Sequence, residues 1–260
     1  MSLTRREFLK LGGAAVASLP FARYASAGAV NIPVLMYHDI SFQQPEEETV
    51  SPALFAAQME WLYGAGYHAV SFDELGSLTE ESAKRALIIT FDDGYASFMD
   101  YAYPLFTEYG FKSTISIMGS HAGGFLSKGY PLLSWDECRF LVQGGLVEIG
   151  CHTYDLHRWR GHLSRAEAMA VFNEQLPRDL SRFQEVYARE LGRRAKVLAW
   201  PYGIYDDAGI KIAKQAGFQT ILSSRHRYFE LAESRADVPR FTINNNAPLP
   251  LFRNIIERRP

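Results

Sequence analysis

Residues 86–91, Ala-Leu-Ile-Ile-Thr-Phe, form a run of apolar and β-branched side chains without a charge. A run that short, apolar on both faces, predicts a strand buried in a parallel sheet. Similar runs predict strands at Pro33–Tyr37, Tyr67–Phe72, Ser113–Met118, Leu146–Cys151, Lys196–Trp200, Thr220–Ser223 and Val238–Ile243. Between them apolar residues recur at helical spacing. Leu54, Phe55, Met59 and Leu62 predict a helix from Ser51 to Tyr63, opened by Ser51-Pro52 and stopped by Gly64-Ala-Gly66. Asp73-Glu-Leu reads as a short helical turn. A helix is expected over Phe98–Glu108, kinked at Pro104. Two capping boxes, Ser134-Trp-Asp-Glu137 and Ser164-Arg-Ala-Glu167, open helices to Gln143 and to about Leu191, the second broken near Pro177. Ile210–Ala216 is a further helix. Strand and helix alternate at least six times without repeat or composition break, which predicts a parallel α/β architecture.

Composition narrows this picture. A chain of 260 residues with 47% apolar and 13% aromatic content can fill a large core, which argues against disorder. The first 27 residues stand apart. Thr4-Arg-Arg-Glu-Phe-Leu-Lys10, a mild apolar run from Leu11 to Leu19, and Ala25-Ser-Ala27 have the layout of a cleaved signal peptide. The paired arginines resemble a twin-arginine export signal, so a periplasmic or extracellular location is expected. The apolar run is too short to span a membrane, and no later segment is apolar enough. Residues 1–27 carry four basic side chains and one acidic, so the net charge of −2 falls to −5 without them. That balance gives no reason to expect a nucleic-acid partner. Cys138 and Cys151 read as two buried thiols rather than a disulfide framework.

Candidate chemistry sits where the strands end. Asp92 and Asp93 follow the central strand and repel each other. A bound cation would offset that repulsion and the loss of water. Asp-Asp-Gly is also the composition of an ordinary strand-to-helix turn with an N-cap Asp. His38 follows a second strand, His152 a third, and Pro201-Tyr202-Gly203 a fourth. In a (β/α) barrel all strand C-termini open on one face, so these remote residues would converge. His152 and His157 lie five apart, which does not stack on a helix, but on a loop both could face one cation. With Asp93 they would form a His-His-Asp set that leaves positions open for water and substrate. His162 lies in a polar, Arg-rich stretch, and His121 and His226 are given no role.

Together these residues resemble a known family. Thr90-Phe-Asp-Asp-Gly94 resembles the first motif of the polysaccharide deacetylases of carbohydrate esterase family four, the NodB-like enzymes. His152-Thr153 with His157 resembles the second motif, and Pro201-Tyr-Gly203 the end of the third. Most of the family spaces its histidines by four, and an Arg stands where Ala199 stands here. The family's C-terminal Leu-x-His motif has no convincing match; Leu222 and His226 are a poor one. Val34-Leu-Met-Tyr-His38-Asp, the five-residue spacing and Trp200-Pro-Tyr-Gly203 resemble the poly-β-1,6-N-acetylglucosamine deacetylases, whose motif order is circularly permuted. The resemblance implies a distorted (β/α) barrel of seven or eight strands over residues 28–260, without the second, glycoside-hydrolase-like domain that some members carry.

It also implies roles. Asp93, His152 and His157 would hold one divalent metal, zinc first, with nickel, cobalt and iron suited to the same ligands. Asp92 would be the general base and His38 the general acid. The backbone N–H of Tyr202 would meet the oxyanion, and Trp200 would line a sugar groove with it; Tyr154, Trp159 and Trp135 are further aromatic candidates. The family's Arg is absent at Ala199, and Arg240, in Asp237-Val-Pro-Arg240 at a late strand, is the candidate read from the residues to orient Asp92, with a surface salt bridge as the alternative. The expected partner is an N-acetylated polysaccharide, and the expected state a monomer. Three rival readings stand beside this one: a deacetylase of chitin oligomers, peptidoglycan or another acetylated glycan; a non-haem iron oxygenase; and a non-catalytic sugar-binding module.

Overall fold

A computed structural model of the chain describes residues 30–42, 48–126, 129–157 and 164–258. The apolar runs become short strands: β1 (Asn31–Ile32), β2 (Val34–Tyr37), β3 (His68–Ala69), β4 (Ala86–Phe91), β5 (Ser113–Ile117), β6 (Val147–Cys151), β7 (Val197–Ala199), β8 (Thr220–Leu222), β9 (Phe229–Glu230) and β10 (Phe241–Thr242). The periodic segments become helices α1 (Pro52–Gly64), α2 (Glu80–Ala83), α3 (Tyr103–Tyr109), α4 (Trp135–Gln143), α5 (Arg165–Leu191), α6 (Asp207–Gln215) and α7 (Leu249–Glu257). Eight strands make one parallel sheet in the order β10-β2-β4-β5-β6-β7-β8, with β3 beside β4. A small antiparallel pair, β1 with β9, forms a separate sheet whose Ile32 and Phe229 join Val34 and Ile88 in one buried cluster.

The sheet curls until one segment touches both of its edges. Val238 N–H donates to Ile221 O at 2.8 Å, on the β8 side, and Ile243 N–H donates to Met36 O at 2.9 Å, on the β2 side. The strand expected over Val238–Ile243 is therefore split: a single bridge joins Val238 to Leu222, and pairing resumes only at Phe241. Pro239 explains the gap, since it has no N–H to give to a ladder.

Period-two alternation sorts the side chains. Leu35 and Tyr37 of β2 and Leu87, Ile89 and Phe91 of β4 face outward into the core beneath the helices. Val34, Ala86 and Ile88 face the opposite way, into a second cluster with Val197, Ala199, Leu222 and Val238. The runs look apolar on both faces because both faces are buried. The expected distorted barrel of parallel strands with covering helices is what the chain forms.

Several expectations are corrected. Only His68–Ala69 of the Tyr67–Phe72 run pairs as a strand. Ser71 instead caps a 3-10 turn over Phe72–Ser77, its N–H donating to Glu74 Oε2 at 2.9 Å. Pro104 does not kink a helix but lies in the first turn of α3, after a π-helical stretch over Phe98–Ala102. Nor does Pro177 break α5, which runs unbroken for 27 residues. An interior proline costs ~3 kcal/mol or more. Burying Leu176, Leu180, Phe183 and Tyr187 on one stripe gains roughly 1.5–3 kcal/mol for each large apolar side chain, and so outweighs it. Both cysteines are buried free thiols, as expected. Residues 1–27, Trp159 and His162 lie outside the described residues.

Candidate active site

The C-terminal ends of the sheet strands carry the polar residues singled out above. His38 follows β2, Asp92 and Asp93 follow β4, His152 follows β6 and Trp200 follows β7. They meet around a cavity of about 330 Å³ whose wall also includes His157, Tyr202 and Arg240. Three non-glycine residues have positive φ among the described residues: Asp93 (68°), Thr153 (69°) and Tyr202 (57°). All three stand in the loops of this mouth. Such conformations cost on the order of 1–3 kcal/mol each and persist where surrounding structure holds them. Gly94 completes the Asp93 turn; its φ is 82°, and a Cβ there would come 2.7 Å from Ile117 Cγ2.

One ligand atom each from Asp93, His152 and His157 lie within 4.8 Å of one another. Both Nε2 atoms stand 3.3 Å from Asp93 Oδ1. That oxygen is buried and has no hydrogen-bond partner. An under-satisfied carboxylate oxygen facing two imidazole nitrogens is a donor set that fits a divalent cation. His152 Nδ1 lies 3.0 Å from Ala199 O. A carbonyl only accepts, so Nδ1 carries the proton, and in the neutral ring Nε2 keeps its lone pair. His157 packs against Tyr202, ring centres 4.6 Å apart and planes tilted by 32°, and its Nδ1 lies 3.4 Å from the Tyr202 hydroxyl.

The loop between the histidines is tied down from behind. Asp179, on α5, accepts hydrogen bonds from Tyr154 N–H at 2.7 Å and Asp155 N–H at 2.8 Å. Thr153 Oγ1 accepts from Leu156 N–H at 3.1 Å. These bonds shape the longer five-residue spacing so that His157 turns back to Asp93.

The two neighbouring carboxylates have different surroundings. Asp92 is gripped by Arg240, whose Nη1 and Nη2 donate to its two oxygens at 2.8 and 2.7 Å. Arg240 is itself 1% exposed and also donates to Thr90 Oγ1 and Ser223 O. It enters from the segment that joins the sheet edges, far in sequence from the missing Arg at Ala199. Burial pushes the Asp92 carboxyl up, but the Arg240 charge and His152 bring it below the ordinary carboxylate range. Burial also pushes Asp93 up, yet the imidazoles, His152 foremost, hold it well below that range. Burial would lower His152, but Asp92 and Asp93 raise it above a free histidine. Burial and the neighbouring His152 lower His157 to about 4.

His38 is buried and its Nε2 lies 3.4 Å from Glu48 Oε2. Trp200 is 1% exposed and stacks on Tyr205 with ring centres 5.9 Å apart, so its ring is wall rather than open platform. Tyr202 is half exposed. His226, given no role above, stands on the cavity wall with its Nε2 3.1 Å from Thr242 Oγ1. Asp179 and Glu48 were likewise missed. Asp179 did leave a trace, being a carboxylate on the helix stripe of Leu176, Leu180 and Phe183. Glu48 lies in a uniformly polar, acidic loop and left none.

A parallel barrel with its polar residues gathered at the strand C-termini has the layout of the barrel enzymes, whose active sites lie on that face. The chain belongs to the polysaccharide deacetylase family, whose model matches residues 79–221. It is 24% identical over 225 residues to a poly-β-1,6-N-acetyl-D-glucosamine N-deacetylase of Staphylococcus aureus, covering 86% of this chain and 76% of that protein. It is 28% identical over 195 residues to the Bacillus subtilis deacetylase-type protein YxkH, covering 72% of this chain and 62% of that one. A solved de-N-acetylase from Aggregatibacter actinomycetemcomitans superposes with a TM-score of 0.74 at 24% identity, over 86% of this chain and 99% of that one. No described helix is long and apolar enough to cross a membrane.

Proposed function

We propose that the chain is a metal-dependent N-deacetylase of an exported, acetylated polysaccharide, with poly-β-1,6-N-acetylglucosamine the first substrate to try. The reading rests on one observation above all: Asp93, His152 and His157 offer three ligand atoms within 4.8 Å, beside a second carboxylate held by Arg240. The substrate rests on the staphylococcal relative's name, and export to the periplasm or beyond on the twin-arginine pattern of residues 1–27. Zinc suits the nitrogen and oxygen ligands, as do nickel, cobalt and iron. Nothing among the described residues of the site requires a second copy of the chain, which suits a monomer.

A divalent cation bound at these three residues would lower the pKa of a bound water toward ~7 and polarise the acetamide carbonyl. The chain's own groups do the rest. Asp92 accepts the proton of the attacking water. Arg240 occupies one lone pair on each of its oxygens and leaves others free. The Arg240 pair keeps Asp92 charged and aimed, at the cost of a weaker base. The backbone N–H of Tyr202 meets the oxyanion. As the C–N bond breaks, His38 gives a proton to the departing nitrogen, leaving acetate and a free amine. An amide leaves poorly as an anion, so the acid matters as much as the base. Trp200 and Tyr202 wall the sugar.

The test is acetate release from a panel of N-acetylated glycans by chelator-stripped protein, alone and with each metal. Release from poly-β-1,6-N-acetylglucosamine only with metal supports the whole reading. Release from chitin oligomers or peptidoglycan alone moves the substrate. Binding of metal-loaded protein to these glycans without any acetate would sink the enzyme and leave a sugar-binding module.

A further inference from the structure

The barrel mouth contains a second set of ligand atoms. One each from His38, Glu48 and Asp93 lie within 4.8 Å of one another. His38 and Asp93 are buried, at 8% and 5% exposure, while the Glu48 side chain is 55% exposed and borders open solvent. Two carboxylates and an imidazole are hard and borderline donors of the kind that hold zinc and its neighbours. As a plain ion pair the arrangement gains little, because a half-exposed pair is worth ~0–1 kcal/mol and needs a protonated His38. As a cation site it also draws on the buried Asp93 carboxylate, and the His38 side chain, 8% exposed, keeps its Nδ1 buried without a hydrogen-bond partner.

We propose that His38, Glu48 and Asp93 form a second, weaker cation site that shares the Asp93 carboxylate with the first and inhibits the enzyme when filled. It is weaker because two like charges share one carboxylate and one of its ligands is open to water, which competes for the ion. It inhibits because the ion takes the His38 nitrogen that would otherwise carry the proton to the leaving amine. That last step rests on the role given to His38 under Proposed function; the site itself does not.

The probe is zinc alone. Chelator-stripped wild type, Glu48→Gln and His157→Ala are titrated by equilibrium dialysis, with ions counted per chain. Wild type should bind one ion tightly and a second at least ~10-fold more weakly, a gap of about 1.4 kcal/mol or more. Glu48→Gln should lose the weak ion and keep the tight one; His157→Ala should lose the tight one. Acetate release, referred to each variant's own rate at one equivalent, should fall at least ~10-fold for wild type as the weak site fills, and hold level for Glu48→Gln. A single ion in wild type, or an unchanged weak ion in Glu48→Gln, overturns the second site and leaves the deacetylase reading intact. No zinc bound by wild type at all overturns the first site, and the second with it.

Discussion

Near the N-terminal ends of β5 and β6, Glu148 is partly buried close to Arg193 and Lys196, around a cavity of about 220 Å³. At the C-terminal ends of the same sheet, Asp92 and Asp93 are buried beside Arg240 and three histidines. Burial, helped by Asp73, outweighs Arg193 and Lys196 at Glu148 and lifts its carboxyl to about 7. At Asp92 and Asp93 the neighbours win and both are depressed. The difference lies in contact. Lys196 is turned to Asp73 at 2.7 Å and Lys112 is paired with Glu74, whereas Arg240 puts both prongs of its fork directly on Asp92. A carboxylate stays ionised inside a barrel when groups stand directly against it, as Arg240 does at Asp92 and the two imidazoles do 3.3 Å from Asp93, not when cations are merely near.

The largest effect expected from breaking this contrast is at Asp92. Asp92→Asn should lower kcat/KM by ~10²–10⁴-fold or more while metal content is kept. Asp93→Asn should weaken metal binding instead, and equal metal loss in both would overturn the division between them. Next comes Arg240→Met, which strands a buried charge and should cost about 3–5 kcal/mol in urea unfolding. Asp92→Asn in the Arg240→Met background should restore much of that, because the stranded charge is then gone; a strictly additive double variant would break the argument.

The other end of the barrel gives a pH test. The folded Glu148 carboxyl sits above its ordinary value, so its contribution is fully present below about pH 4.5 and is lost as pH rises through about 7. Glu148→Gln should therefore match wild type at pH 4.5 and exceed it by roughly 2–3 kcal/mol at pH 8, since raising a carboxyl by one pH unit is worth ~1.4 kcal/mol and solvent screens part of it. A constant difference across that range would mean that burial does not set the Glu148 proton. The smallest effect is expected at Asp179. Asp179→Ala frees two backbone N–H groups and should cost about 1–2 kcal/mol of stability. It should also weaken the tight metal about tenfold, read by equilibrium dialysis of zinc.

Much of the fold and half of the site could be read along the chain. The strand runs were legible because both faces are buried, and the helices because caps and apolar stripes are local. Asp92, Asp93, His152 and His157 stood out because paired carboxylates and histidines just after apolar runs make poor sense as packing. At Pro177 burial over many residues overrode a local preference, whereas Pro104 sits in the first turn of α3, where proline is well placed. Glu48 left no signal in its polar, acidic stretch, and His226 showed only as half of a poor Leu-x-His match, because nothing near either in sequence marks a residue that reaches a cavity wall.

Local sequence marked most of the segments that become strands, the candidate ligands Asp93, His152 and His157, and the likeness to a deacetylase family. Only the tertiary structure decided which groups answer one another. Arg240 is 148 residues from Asp92, Asp179 is 25 from Tyr154, and the carbonyl that orients His152 belongs to Ala199, 47 residues away. Hydrogen bonds and ion pairs act over a few ångströms, and such partners come within range only when the parallel sheet curls and brings its strand ends to one mouth.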